Sequence, residues 1–484
     1  MRSAVLAFVS AATCALSNAH AAGAVSVAGV DEIFKPFTQA STPGCSVGVF
    51  EKGRPLLMRG YGVADILSNA PLREETLFYA ASTSKQFTAL SIALLAQDGK
   101  LRLDDDVRLH VPEMPDYGTP LTLAMLLHHT SGLGDYLGLF DLAGTDHYEK
   151  LDPKTVLAMI VRQKGVQFTP GTEYRYSNTG YFLLAETVAR VSGQSFPEFV
   201  RSRILAPLGM RDSFMRSGAV NPPKAKVAHG YVTRGEGFEV RDTYPAFGGS
   251  GGLMTSIRDL QKFDRDFTAG HKVWTDAVRK IMLTPATFSD GTPVTVEGLG
   301  YAAGLHVGQL RGLQWVSHSG AAAAFRSEYV RLPQKSLGIA VLCNRGDVTP
   351  GLYVQRVIDT LGLGALPGQW PGPRQRRNED REPAGEPLTP AMVKALQGRY
   401  RSDELAADYV LTAGGDGALT GTIESQYAQG KPAAPFGALR MQPRDQLFGE
   451  EGYSLQLERA PDGRITAFWL SGGDMRSLRF IRVP

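Results

Sequence analysis

Cysteine is scarce in this 484-residue chain, with residues 14, 45 and 343 the three examples. Neither of the last two reads as catalytic. Each sits in a strand-like apolar run, and the favoured expectation is a buried free thiol, because cysteine is commonly a core residue. Pairing would need neighbouring strands in an oxidising compartment. Charge of one sign is also lacking: 51 basic against 48 acidic residues leave +3. No basic block with interleaved aromatics occurs, which removes a nucleic-acid surface from consideration. Long hydrophobic runs are missing too. The apolar run 4–16 is too short to span a bilayer, and no other stretch of about 18 apolar residues exists, so no stable membrane anchor is expected. Residues 1–21 instead read as a secretory signal, with Arg2, the apolar run, and Ala19-His20-Ala21 before the cut. Cys14 lies inside it in a poor lipid-attachment context. A secreted or periplasmic soluble protein is expected, and 43% hydrophobic content is ample for a core.

What is present is a nucleophile beside a base. Ser82-Thr83-Ser84-Lys85 is the one Ser-x-x-Lys in the chain, and it opens an apolar stretch, 86–98, stopped by Gly99. On a helix, positions i and i+3 share a face, so Lys85 Nζ can reach Ser82 Oγ. Serine needs an adjacent base. Lysine serves only if burial and the helix dipole lower its pKa. The stretch is apolar nearly all round, which predicts a helix through the middle of a domain.

Around it, the spacing predicts a helix over 30–37 that Pro36 disturbs, then a hairpin of strands 45–50 and 55–61. Helical patterns follow at 121–128, 155–161, 181–191, 196–204 and 256–267, the last opened by a Ser-x-x-Asp cap. Strands return at 315–318, 328–332 and 337–343 before a helix at 352–361. Strands at both ends imply one sheet pairing its first and last segments, with the helical block on one face. The expected fold class is α/β: a mainly antiparallel sheet flanked by helices over 24–363, then a Pro- and charge-rich linker, 364–390. A small antiparallel, lipocalin-like barrel is expected over 391–484.

Two further clusters fit the pair. Tyr176-Ser177-Asn178 is the one Tyr-x-Asn. A phenol near an ammonium is pulled toward phenolate, so Tyr176 can share a proton with Lys85 as general base. The Asn178 amide can hold Lys85 and a substrate carbonyl together. His318-Ser319-Gly320 follows a strand, where a cationic or neutral imidazole can face substrate and the Gly320 backbone can approach closely. The backbone N–H groups of Ser82 and Ala321 would form the oxyanion hole.

These three elements, in this order and at these separations, resemble the penicillin-recognising serine hydrolases: class C β-lactamases, D,D-carboxypeptidases, D-aminopeptidases and related carboxylesterases. Pro43-Gly44-Cys45, Leu126 to Leu133, Pro207-Leu208-Gly209-Met210 and Gly251-Gly252-Leu253 agree as well. The resemblance covers roughly 24–362. It implies a β-lactamase/transpeptidase-like domain and acyl transfer through an acyl-enzyme on Ser82, with Lys85 and Tyr176 managing the proton. Asn178, His318, Gly320 and Ala321 would bind substrate, and no cofactor or metal is implied. His318 stands where class C β-lactamases usually carry lysine, which looks more like the peptidases and esterases. The tail resembles the barrel appended to D-aminopeptidase-like hydrolases.

Rival readings are few. Gly248-Gly249-Ser250-Gly251-Gly252 fits the Gly-x-Ser-x-Gly elbow, yet a proline-containing segment precedes it and the next helix waits until Ser256. His128 and His129 point about 100° apart on a helix and lack further ligands at a recognisable spacing. Bracing the loop 130–133 suits them better. The substrate expected is a small molecule or peptide, cleaved at an amide or ester. A small-ester carboxylesterase or weak β-lactamase is one alternative, and a non-catalytic binder of peptidoglycan or peptide is another. Loops 134–148 and 232–247 carry no readable code, and no signal for oligomeric state is present.

Overall fold

The hairpin that opens the fold turns through Lys52 and Gly53, both at positive φ (51° and 70°), the conformation a two-residue loop needs to match strand twist. It joins Cys45–Glu51 (β1) to Arg54–Tyr61 (β2). The computed structural model describes residues 27–484 apart from 146, 219–225, 243, 364–384, 416–417 and 473–474. The expected signal (1–21) and most of the expected linker therefore lie outside the described residues.

The remaining strands of the main sheet come about 240 residues later: Thr295–Val296 (β3), Leu299–Tyr301 (β4), His306–Leu310 (β5), Leu313–Ala322 (β6), Phe325–Leu332 (β7) and Leu337–Cys343 (β8). The antiparallel order is β3-β4-β5-β6-β7-β8-β1-β2, so first and last segments pair as the sequence implied. Register places Cys45 opposite Cys343, and the two form a disulfide. The free-thiol expectation fails here. The implied pairing of first and last strands was right, but hydrophobicity marked both residues only as core and did not give the register that sets Cys45 opposite Cys343.

Period-two alternation divides the sheet's faces. Val47, Val49, Ile339 and Val341 pack beneath Val30–Phe34 (α1) and the helix Pro350–Thr360. Ala340, Leu342 and Tyr329 face the helical block. Helices thus cover both faces, and the block occupies one of them. Its centre is Lys85–Gln97 (α2), in which eleven of thirteen residues are buried; Gly99, at φ 67°, ends it. Around it lie Leu123–Leu127 (α3), Tyr136–Leu142 (α4), Pro153–Val161 (α5) and Asn178–Ser192 (α6). The Ser256 cap holds, accepting from Asp259 N at 3.2 Å. The helix expected over 196–204 is Phe196–Val200 followed by a π turn, Arg201–Leu205. Pro207, just downstream, has no N–H to give the ordinary i−4 bond.

The C-terminal unit is an antiparallel sheet of nine strands between Glu386 and Val483, curled around Tyr400, Tyr409, Phe468 and Phe480. Among the described residues its edge strands, Glu386–Pro387 and Leu419–Ser425, do not pair with each other, so the barrel-like unit is open, a half-barrel. It grips α4 and the loop that follows. Tyr409 Oη donates to Leu142 O (2.9 Å) and Ser425 Oγ to Ala143 O (2.5 Å). Met475 lies under Gly134 and Gly138, where a Cβ would come within 2.7 Å and 3.5 Å of it. Among the described residues, no helix is long and apolar enough to cross a membrane.

Candidate active site

Ser82 sits on a 3-10 turn, Ala81–Ser84, immediately before α2 rather than on the helix itself. Ala81 takes φ 48°, a left-handed conformation costing an alanine roughly 1–2 kcal/mol. The turn is stitched to the sheet: Thr83 Oγ1 donates to His318 O (3.2 Å) and lies 2.8 Å from Ser327 Oγ, while Ser327 Oγ donates to Ala80 O (2.8 Å). Gly320 is pressed against the same turn. A Cβ there would lie 2.3 Å from Ala80 O and 3.0 Å from Ser82 N. Gly320→Ala should therefore separate β6 from the turn and reduce kcat about 100-fold or more, the scale of losing one oxyanion donor. Steady-state kinetics beside a melting curve would check this.

Lys85 is fully buried. Its Nζ lies 2.8 Å from Asn178 Oδ1, 2.8 Å from the Ser250 carbonyl and 3.3 Å from Ser82 Oγ. Burial lowers its pKa from 10.5 to about 7, against the opposing pull of Asp135. In the neutral amine the two carbonyl oxygens take the two N–H groups, and the lone pair is left facing the Ser82 hydroxyl. That arrangement suits an amine acting as a base.

Tyr176 hydrogen-bonds the Ser82 side chain, and burial drives its pKa well up. Lys85 Nζ is 4.7 Å from its ring centroid. The pull toward phenolate expected from the sequence is thus outweighed by desolvation, and in the resting site it is lysine whose pKa has moved toward neutrality. Burial also lowers the pKa of both His129 and His318 well below the ordinary range, keeping the rings neutral. His318 Nδ1 lies 2.6 Å from Ser319 O and donates to it, which leaves Nε2 to accept from Tyr301 Oη (3.3 Å). His129 Nδ1 accepts from Ser177 N (3.1 Å), so its Nε2–H donates to Tyr301 (2.9 Å). Of the two forms allowed by the sequence, His318 takes the neutral one. His129 braces the turn carrying Tyr176 as well as its own loop.

The rest of the glycine-rich loop supports Lys85. Ser250 offers its carbonyl to the lysine, while its Oγ lies 3.1 Å from Tyr136 Oη and it is 8% exposed. The nearest groups suit a support, not a second nucleophile. The structure thus brings Ser82, Lys85, Tyr176, Asn178, His318, Gly320 and Ala321 around one site; Lys85 forms its base, and the others line a cleft of about 530 Å³. The sequence reading missed Asp135, His129 as a ring partner, and Tyr301. Asp135 before an apolar run carried a helix-cap signal; a lone tyrosine at 301 carried none.

The Beta-lactamase family model matches residues 30–358. The chain belongs to the β-lactamase family. Its site is built as a serine hydrolase's, on the β-lactamase/transpeptidase fold. Relatives include a D-aminopeptidase from Gluconobacter oxydans, 28% identical over 322 residues, covering 66% of this chain and 59% of that protein. Penicillin-binding protein 4* from Bacillus subtilis is 29% identical over 322 residues, covering 64% and 69%. The chain thus spans about three fifths of the D-aminopeptidase it matches. Among solved structures, the octameric penicillin-binding protein homologue from Pyrococcus abyssi aligns over 94% of this chain and 99% of its own, with a TM-score of 0.63 at 24% identity. That alignment reaches past the family match into the C-terminal half-barrel.

Proposed function

We propose that this family member is an exported serine hydrolase that cleaves a peptide amide or ester bond, next to a D-configured residue, through an acyl-enzyme on Ser82. The observation that carries the reading is the placement of Lys85: it is buried, with Nζ 3.3 Å from Ser82 Oγ and 2.8 Å from both Asn178 Oδ1 and the Ser250 carbonyl, and that burial lowers its pKa to about 7. Ser82 Oγ adds to the substrate carbonyl as its proton passes to Lys85 Nζ. The oxyanion lies against the N–H groups of Ser82 and Ala321. As the tetrahedral species collapses, the bond to the leaving group breaks. Lys85 returns the proton to that group by way of the Tyr176 hydroxyl. Water then adds to the ester, giving its proton to the same pair, and the acid departs as Ser82 regains its hydrogen. D-configuration is supported by the D-aminopeptidase relative. Export is supported by the Cys45–Cys343 bond, which suits an oxidising compartment.

The test compares kcat/KM on D-alanyl and L-alanyl peptides and on p-nitrophenyl acetate. Turnover of the D-peptides above the L-forms is expected. Cleavage of the ester alone would make the protein an esterase, and binding of peptidoglycan fragments without any turnover would make it a binding protein.

The pH profile provides another check. A lysine with pKa near 7 is a base only when deprotonated, so kcat/KM should rise with pH and level off above about pH 7. Below that it should fall about tenfold per pH unit. An acid limb near pH 4–5 would point to a carboxylate instead.

A further inference from the structure

We propose that Asp135 is a positioning residue of this site: by fixing which way round the Asn178 amide sits, it keeps the Lys85 lone pair free for Ser82. The inference rests on the reading of Ser82 and Lys85 as nucleophile and base.

Asp135 is 5% exposed, and both oxygens of its carboxylate accept hydrogen bonds. Oδ1 accepts from Leu137 N at 2.8 Å and caps α4. Oδ2 accepts from Asn178 N (2.5 Å) and from Asn178 Nδ2 (2.9 Å). An asparagine amide has nearly the same shape either way round, so its orientation is set by its partners. With Nδ2 committed to Asp135, Oδ1 must face Lys85 Nζ, as found at 2.8 Å. The flipped amide would present N–H to Lys85. A neutral lysine would then receive that hydrogen on the lone pair that has to take the Ser82 proton, and the base would be blocked.

Capping alone does not require this carboxylate, since asparagine caps helices as well as aspartate does. The position is fixed from several sides. Tyr136 N donates to Thr179 Oγ1 (2.8 Å), and Thr179 Oγ1 donates to Gly134 O (2.7 Å). The C-terminal sheet holds the far end of α4 through Leu142 O.

Charge acts in the same place. Lys85 is faced by Tyr176 and Tyr181 from α6 and the segment before it, His318 from β6, His129 from the loop after α3, and the Ser250 carbonyl. Those rings are uncharged, and the anion that raises the Lys85 pKa is Asp135. Removing its charge should let Lys85 lose its proton at lower pH.

Asp135→Asn isolates the role, because it keeps a cap acceptor but can turn a donor toward Asn178 Nδ2. Wild type and variant would be treated with a fluorophosphonate probe from pH 5 to 9, following Ser82 modification by mass spectrometry and folding by melting temperature. In the variant, labelling should slow about 10- to 100-fold, the scale of losing an orienting partner. Its acid limb should also move to lower pH, a shift that the lower melting temperature from Asn178 N losing its acceptor does not by itself produce. Asp135→Glu should restore part of the rate. An unchanged limb, or a loss that merely tracks melting temperature, would reduce Asp135 to a structural cap. Failure of wild type to label at Ser82 at all would instead overturn the acyl-enzyme reading, and this inference with it.

Discussion

Ser82→Ala is expected to lower kcat/KM on any cleaved substrate by at least about 10⁴-fold, since the variant keeps the cleft and the proposed oxyanion donors but loses the proposed nucleophile. What remains should be the slow background of a binding site that still polarises a carbonyl. Folding should change little, because the hydroxyl is on a short turn whose anchors are the neighbouring Thr83, Ser84 and Ala80 backbone and side chains. The measurement is a progress curve with the best substrate, paired with mass mapping of a trapped acyl group. Residual turnover near wild type, or an acyl group on Ser250, would transfer the chemistry to the glycine-rich loop.

Tyr176→Phe is the second large effect, expected at about 10³-fold in kcat on an amide, within the usual range for losing a positioned proton donor. The substitution keeps the ring, and with it the contact to His129 (4.4 Å between centroids) and the position 4.7 Å from Lys85 Nζ. Only the O–H bonded to Ser82 is lost. An amine cannot leave without a proton, whereas p-nitrophenolate can. The loss on p-nitrophenyl acetate should therefore be much smaller, about tenfold, because proton donation to the leaving group contributes little there. Equal losses on both substrates would assign Tyr176 to the attack step alone.

Much of this site was readable from the chain because its chemistry uses short spacings. Ser82 and Lys85 are three residues apart, Tyr176 and Asn178 two; a 3-10 turn running into α2 puts the first pair on one side, and the extended backbone of Ser177 does so for the second. Strand Leu337–Cys343 fell where its apolar run predicted. Other features were not readable, each for its own reason. The contact from Asp135 to Asn178 spans 43 positions and exists only because α4 packs against the start of α6. Tyr301 gains its partners from the sheet order, which places β4 beside β5 and so near His318. The protonation of Tyr176 depends on how deeply the cleft encloses it. Charge proximity, visible in sequence, pointed the other way.

The bond from Cys45 to Cys343 spans 298 positions and fastens the sheet's opening strand to its closing one. Ser82, Tyr176 and His318 all fall between the two cysteines, inside a closed covalent ring, while the C-terminal sheet hangs outside it as an appendage. A protease that nicks one exposed loop within the ring frees nothing: the two fragments stay tethered, with both halves of the catalytic apparatus aboard, until a thiol opens the link. Wherever proteases are met, that tether makes a single cut a survivable injury for the covalent chain.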